Sequence, residues 1–590
     1  MACAAAPSGG ATRAAHALAG RGPTAGPRPV RVGPAGYGSS AVRFPVSAPS
    51  RRIHLPLVAS LIGAVVTLLL WVLLVPGIDA PAHLFQTWLF SHGGFDPYNN
   101  YWYAGRYEFV NYSMLYYVLA AQVGQLGVLL PAAAAMTGCF ALICRREWGA
   151  MARGPSITFA VTAPFIMMVG GTYPFMAGTG AALAAIALLQ RRRTITFAVA
   201  VLATLAFSPL SFSLLCAVLA GILLGAARPL RTARLHRAAF AAVVVVFLIG
   251  VFLQRAFPIA GWYPYDPWDA AIVLVFSLAG LWVAGSHAGT RSMRALFAAY
   301  LALNLIAFLL KGPIGTNPSR LFAIAGAPML WLTANLNPRR PRLVVFPLIA
   351  LAVALQVGPK VRDAYSAYEN PASAASYWTP VHQFMRAHAA QLAGYRVEPV
   401  ATWGHWEAYY VARWRVPLAR GWFRQEDFPQ NGSLYNDDMS AARFRAWLRS
   451  LGVRYVLLPD APLDYSSMRE AQLLRSGRSG LTVVGRTRHW TFYQLPHPTP
   501  IVSAPPGRRA LLISMGQQQM TVWMSGPGAY EVRMRYSPYR RAFPNDVCLR
   551  QGPDGMTEVV ASVRGYVQLN IDTDPASVAA NATDTRSSSC

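Results

Sequence analysis

Long apolar runs alternate with short polar breaks until about residue 358, and there the chain changes character. The first run, residues 53–75, follows Arg51 and Arg52 and is too long for the apolar core of a signal peptide, so it predicts a retained transmembrane helix. Further runs at 128–144, 157–169, 175–189, 195–207, 210–226, 240–257, 270–284, 296–310, 321–336 and 344–357 bring the expectation to about eleven spans. Residues 114–124 are apolar too, but a second crossing there would put the next arginines on the wrong side. They are therefore expected to be interfacial or re-entrant.

The breaks decide the orientation. Arg145, Arg146 and Arg153, then Arg191 to Arg193, then Arg228, Arg231, Arg234 and Arg237, then Arg291 and Arg294, then Arg339, Arg340 and Arg342 all fall on one side of such a threading. Basic residues in short loops mark the cytoplasmic face, which predicts an inside N-terminus and an outside C-terminus. Residues 1–50 lack periodicity and are rich in Ala, Gly, Pro and Arg, as expected of a disordered cytoplasmic tail. Residues 51–358 would form the transmembrane domain, with a long first outer loop at 77–113.

From 359 to 497, helical patterns (379–392, 441–451) alternate with short strand-like runs (RYVLLPD, LTVVGR, TFYQL), which predicts an extracytoplasmic α/β domain. From 498 to 573, ALLISM, MTVWMSG, YEVRMRYS, TEVVASV and YVQLNID, separated by Gly, Pro and Asp turns, predict a β-sandwich of a carbohydrate-binding kind. Residues 574–590 are polar and are expected to be a disordered tail.

Composition narrows the function classes. With 54% hydrophobic and 13% charged residues among 590, this is a polytopic α-helical membrane protein. The formal charge of +28 sits in the clusters between spans, so it is explained by topology, and a nucleic-acid partner is excluded. Arginine replaces lysine almost everywhere, with Lys311 and Lys360 the exceptions, and Ala is abundant. That composition suits a GC-rich bacterial genome and hence a bacterial plasma membrane. Of six cysteines only Cys548 and Cys590 would lie together on the oxidising side, and a structural bridge is not expected from a Ser-rich tail. There is no Walker motif, no G-x-G-x-x-G before a helix and no G-x-S-x-G, so nucleotide hydrolysis and serine-hydrolase chemistry lack support.

Candidate chemistry gathers on the outer side. The loop PGIDAPAHLFQTWLFSHGGFDPYNNYWYAGRYEFVNYS holds Asp79, His83, His92, Asp96, Arg106 and Glu108 among many aromatics, and polar groups at a membrane surface in that density point to chemistry or ligand binding. Asp79 and His83, four apart, would share a helix face; alternatively Asp79 only caps that helix and the aromatics form an interfacial belt. KGPIGTNPSRL places Lys311 and Arg320 on a side that ordinarily lacks cations, where an arginine fork can hold a lipid phosphate or merely snorkel to headgroups. Asp266 and Asp269 in GWYPYDPWD read more simply as part of the interfacial belt. In the soluble region ATWGHWEAYY and RGWFRQEDF gather Trp403, His405, Glu407, Trp422 and Asp427, a mixture that suits either sugar binding or a packed core.

A cytoplasmic N-terminus, one span, a long outer loop opening on an acid in GIDAPAHLF, aromatic interfacial helices, many further spans and an outer C-terminal domain resemble the GT-C class of integral membrane glycosyltransferases. The pattern D-x-x-x-H and WYAGRYEFVNYSMLYY also resemble bacterial membrane proteins described as related to 6-pyruvoyl-tetrahydropterin synthase, although nothing here supports pterin chemistry. The GT-C resemblance implies a polyprenyl-phosphate sugar donor, an acceptor glycan, lipid or protein on the outer face, and Asp79 as general base. It makes Arg320 and Lys311 candidates for the donor phosphate, with His83, Arg106, Glu108, Trp403, His405 and Glu407 positioning sugar hydroxyls. A divalent cation, Mg or Mn, would be an optional helper, and Ala80 stands where the class often carries a second acid. A transporter or flippase of lipid-linked saccharide, and a noncatalytic cell-envelope assembly protein, are the rival expectations.

Overall fold

A computed structural model describes residues 54–73, 76–224, 236–258, 261–310, 312–436 and 439–583. The predicted disordered tail at 1–50 and the candidate Lys311 lie outside them. Among the described residues, twelve α-helices build the N-terminal half: α1 (Leu55–Leu73), α2 (Ala80–Gly93), α3 (Tyr116–Trp148), α4 (Arg153–Gly170), α5 (Tyr173–Gln190), α6 (Thr194–Phe207), α7 (Pro209–Leu224), α8 (Arg237–Ala256), α9 (Pro267–Ala284), α10 (Arg291–Leu309), α11 (Arg320–Leu336) and α12 (Arg342–Glu369). All but α2 fall on the eleven apolar runs. Among the described residues seven helical stretches are long and apolar enough to cross a membrane, and α6 and α7 are shorter apolar helices. This is a multi-pass membrane protein.

Small residues let these helices approach. Ala59, Gly63 and Thr67, four apart, form the buried stripe of α1, where Gly63 lies against Thr137 of α3 and the Ser60 hydroxyl donates to the Ala134 carbonyl at 2.9 Å. Helix α3 breaks at Gly124 (φ 77°, ψ 162°), separating the segment read as interfacial from the one read as a span.

Two boundaries differ from the sequence expectation. Helix α12 does not stop at residue 358 but runs on to Glu369 through Pro359, helped by a 2.7 Å Lys360–Asp363 ion pair on its surface. The tail expected to be disordered from 574 contains a helix at Pro575–Ala582, capped by Asp574 and docked by a 2.8 Å hydrogen bond from Asn581 to the last carbonyl of α8, at Ala256. Docking against another helix end supplies what its polar sequence lacks. Cys548 is disulfide-bonded, contrary to expectation, whereas Cys139, Cys144 and Cys216 are free.

The loop between α2 and α3 carries a small hairpin, β1 (Tyr98–Asn99) with β2 (Arg106–Tyr107). Beyond α12, parallel β3 (Arg396–Pro399) and β4 (Val453–Pro459) and antiparallel β5 (Thr482–Arg486) and β6 (Trp490–Gln494) form one sheet in the order β3-β4-β6-β5. The last region has two four-stranded antiparallel sheets. One is β7 (Val502–Ser503), β10 (Gly528–Arg535), β12 (Cys548–Gln551) and β13 (Met556–Ala561); the other is β8 (Ala510–Met515), β9 (Met520–Met524), β11 (Arg540–Phe543) and β14 (Gly565–Ile571). Alternate residues such as Val522, Met524, Tyr530, Val532, Val567 and Leu569 fill a shared core, as period-2 patterning requires.

The loop between α2 and α3 joins these parts. Trp102 donates to the Ala408 carbonyl at 3.1 Å, the Tyr103 hydroxyl to the Phe423 carbonyl at 3.0 Å, and the Tyr98 hydroxyl to the Arg535 carbonyl at 3.0 Å. A loop fixed to the helices and to both sheet regions is a rigid platform for whatever it displays.

Candidate active site

Asp79 is held by backbone. Helix α4 ends at Gly171 in the left-handed region (φ 69°), and its freed carbonyls at Val169 and Gly170 accept the Ile78 and Asp79 amides at 3.2 and 3.0 Å. Gly77 packs so closely on Gly171 that an added Cβ would fall 2.3 Å from the Gly171 nitrogen. The two glycines thus seat the chain so that Asp79 starts α2. Asp79 occupies the N-cap position, but its side chain makes no capping hydrogen bond. The carboxylate instead faces Arg320, the first residue of α11, whose Nη2 donates to Oδ2 at 3.5 Å. Residues far apart in sequence, Asp79 and Arg320, are thereby brought together.

Both line a cavity of about 540 Å³ bounded by α4, α9, α11, the end of α12 and the Asp79 turn. Asp269, Lys360 and Arg362 also line it, so two carboxylates face three cations. Thr316 and Ser319 add hydroxyls beside the N-terminus of α11, where the helix dipole favours an anion. A cation as the first residue of that helix adds to the positive end. Burial pushes the Asp79 carboxyl above its ordinary pKa, and Arg320, Lys360 and Arg424 oppose that rise by favouring the charged form.

A second cavity of about 160 Å³, with an apolar lining that includes Phe140, Phe159, Phe276, Phe297 and Met329, lies among the helices. Ile324, one turn beyond Arg320 on α11, borders both cavities. Met329 is nine residues beyond Arg320, about 13 Å along the helix. A charged chamber therefore adjoins a greasy one.

The remaining candidates do not gather at this cavity. His83 is fully buried with Nδ1 3.1 Å from the Tyr117 hydroxyl and the Tyr112 and Tyr173 rings around it, and burial pulls its pKa down to about 3, so it is neutral. Arg106 pairs with Glu108 at 2.7 Å, reaches Glu426 at 3.9 Å and lies over the Phe423 ring, tying the loop between α2 and α3 to the region after α12. Glu407 accepts hydrogen bonds from the Thr402 amide and hydroxyl and sits 2.9 Å from His405, whose other ring nitrogen is 3.6 Å from Asp464. Burial works against a charged His405, but the Asp464 and Glu407 carboxylates outweigh it and raise the pKa. Trp403 is half-buried, and its carbonyl accepts from Asn370 at 2.8 Å.

Sequence reasoning missed Asp269, Lys360 and Arg362. Asp269 had been assigned with Asp266 to the interfacial belt; Asp266 does cap α9 through its oxygen, leaving Asp269 to face the cavity. Lys360 and Arg362 closely follow an apolar run, as Lys311 does, and so carried the kind of signal that singled out Lys311 and Arg320. Among the described residues no group of three His, Cys, Asp or Glu could hold a metal ion.

No family model matches the chain, and no curated protein does. Among solved structures it is similar to the Archaeoglobus fulgidus oligosaccharyltransferase tethered to an acceptor peptide, at 12% identity and a TM-score of 0.43 over 69% of each chain. It is also similar to the archaeal oligosaccharyltransferase AglB of that organism in complex with an inhibitory peptide and a dolichol-phosphate, at 12% identity and a TM-score of 0.32, covering 68% of this chain and 69% of that one.

Proposed function

We propose that the protein is an integral membrane glycosyltransferase of the GT-C kind. It would move a sugar from a polyprenyl-phosphate donor to a glycan, lipid or protein acceptor on the outer face of the plasma membrane. The observation that carries this reading is the pairing of Asp79 with Arg320 on one polar cavity that adjoins an apolar one. A lipid-linked donor has those two halves. Its phosphate suits the N-terminus of α11 with Arg320, Lys360 and Arg362, and its chain suits the pocket beyond Ile324.

In the reaction, Asp79 takes the proton of an acceptor hydroxyl while that oxygen attacks the anomeric carbon. The bond from that carbon to the phosphate oxygen breaks, and the polyprenyl phosphate leaves with the bonding electrons. The cations stabilise the charge that grows on its oxygens, and a single displacement inverts the anomeric centre. The raised Asp79 pKa suits a base, because a more basic carboxylate takes a proton more readily. His83, Arg106 and Glu108 hold the loop that presents Asp79.

The test is Asp79→Asn, assayed with a panel of radiolabelled polyprenyl-phosphate hexoses and pentoses and an outer-envelope acceptor fraction. The variant keeps shape but cannot accept the proton, so transfer falls by roughly 100-fold or more while the melting temperature is retained. Turnover within a few-fold of wild type in folded protein would overturn the reading. Movement of lipid-linked saccharide across vesicles with no new glycosidic bond would favour a transporter instead.

A further inference from the structure

At the other end of α2 from Asp79 lies a second polar cavity, of about 450 Å³, that the reaction above does not use. One wall is the last turn of α2 and the loop after it, with Trp88, His92 and Asp96; the other is the hairpin tip between β8 and β9 with Gln517 and Gln518, beside Asn570 of β14. Arg415, a non-glycine residue in the left-handed region (φ 62°), closes one side.

The walls are fixed to each other. The Asn100 amide donates to the Gln517 carbonyl at 2.7 Å, and its side chain donates to the Gly516 carbonyl at 3.0 Å. Gly93 meets the hairpin so closely that an added Cβ would fall 2.3 Å from Gln517 Oε1. Along α2 the rings of Phe85, Trp88 and His92 stack at 5.8 and 4.5 Å, ending in an imidazole exposed at the cavity. Among the described residues, Gln517 Nε2, Gln518 Oε1 and Asn570 Oδ1 are buried without a hydrogen-bond partner. Buried amide groups without partners are costly, and three side chains that each carry one line this single cavity.

We infer that this cleft between the first outer loop and the β-sandwich binds a neutral saccharide. Neutral amides suit hydroxyls, which both donate and accept, and the aromatic column ending at His92 offers a flat face for C–H groups. Asp96 and Arg415 carry opposite charges, so the lining favours neither an anionic nor a cationic polymer. Fourteen residues of α2 separate the cleft from Asp79, about 20 Å, so a bound chain of several sugars spans the distance. Saccharide binding here stands without Asp79. The further step, that the cleft holds the distal part of a glycan acceptor, rests on the proposed function.

The experiment is calorimetric titration of the full-length protein in lipid nanodiscs with maltohexaose, mannohexaose and arabinohexaose, and with a hyaluronan hexasaccharide as the anionic comparison. At least one neutral hexasaccharide binds. Gln518→Ala and Asn570→Ala each weaken it roughly five- to tenfold with unchanged melting, and Asp79→Asn leaves it unaltered. The inference is overturned if no neutral hexasaccharide binds folded protein, if neither amide truncation weakens binding, or if hyaluronan binds as tightly as the best neutral sugar. Loss of this binding beside intact Asp79-dependent transfer sinks the cleft alone; intact binding beside Asp79-independent transfer sinks the proposed reaction alone.

Discussion

Arg320 and Arg420 each face an acid, but in opposite circumstances. Arg420, in the region of the β3-β4-β6-β5 sheet, grips Asp427 with two hydrogen bonds of 2.9 and 2.7 Å, reaches Glu470 at 3.2 Å and Ser467 at 2.9 Å, and its side chain is 5% exposed. Arg320 touches Asp79 at 3.5 Å, is 26% exposed and borders an open cavity. The first arginine has used its donors, whereas the second keeps most of them. Structural ion pairs saturate themselves, and the pair with capacity left over is where a ligand can enter.

That contrast can be broken experimentally, and the largest effect should come from the saturated pair. Arg420→Ala strands Asp427 and Glu470 in the interior, and stability should fall by roughly 3 to 5 kcal/mol in a thermal or denaturant melt. Arg320→Ala should leave melting nearly unchanged. A large stability loss for Arg320 would mean that its contact with Asp79 is structural.

Next in size is donor affinity. Arg320→Ala should weaken binding of farnesyl phosphate by roughly 2 to 5 kcal/mol. Arg339→Ala, just past the other end of α11, should cost about 1 kcal/mol or less, as for a surface cation near anionic lipid. Equal losses would make Arg320 an ordinary interfacial anchor.

The smallest effect is a shift along the pH axis. A base works once deprotonated, so transfer at saturating donor should rise with pH through the Asp79 pKa, which burial places above the ordinary carboxylate range. Arg320 favours the charged form. Its removal should therefore move the acid limb to higher pH, and a limb that stays put or moves down would show that the two groups are uncoupled.

The eleven apolar runs were legible because spans announce themselves through length and a lack of charge, and β8, β9, β10, β13 and β14 through period-2 alternation. What escaped was decided by distant partners. Strand β3 buries Arg396 and Glu398, which look like surface residues until the Leu451 and Arg533 carbonyls are seen to accept from Arg396 at 2.6 and 2.7 Å. The extension of α12 hid behind Pro359. In the site, Asp79 and Arg320 could be picked out because an acid and a cation at the outer ends of apolar runs lack a topological reason. Asp269 could not, because Asp266 beside it supplies a sufficient local one, and His83 looked reactive only because its shell of tyrosines comes from α3, α5 and the loop before α3.

The most direct test of the central claim is a structure of the full-length protein in nanodiscs with farnesyl phosphate. The account predicts density for the phosphate at the start of α11, within hydrogen-bonding reach of Arg320, and for the isoprenoid chain running past Ile324 into the apolar cavity. A lipid phosphate held elsewhere, with the Asp79–Arg320 cavity unchanged and vacant at saturating ligand, would contradict it.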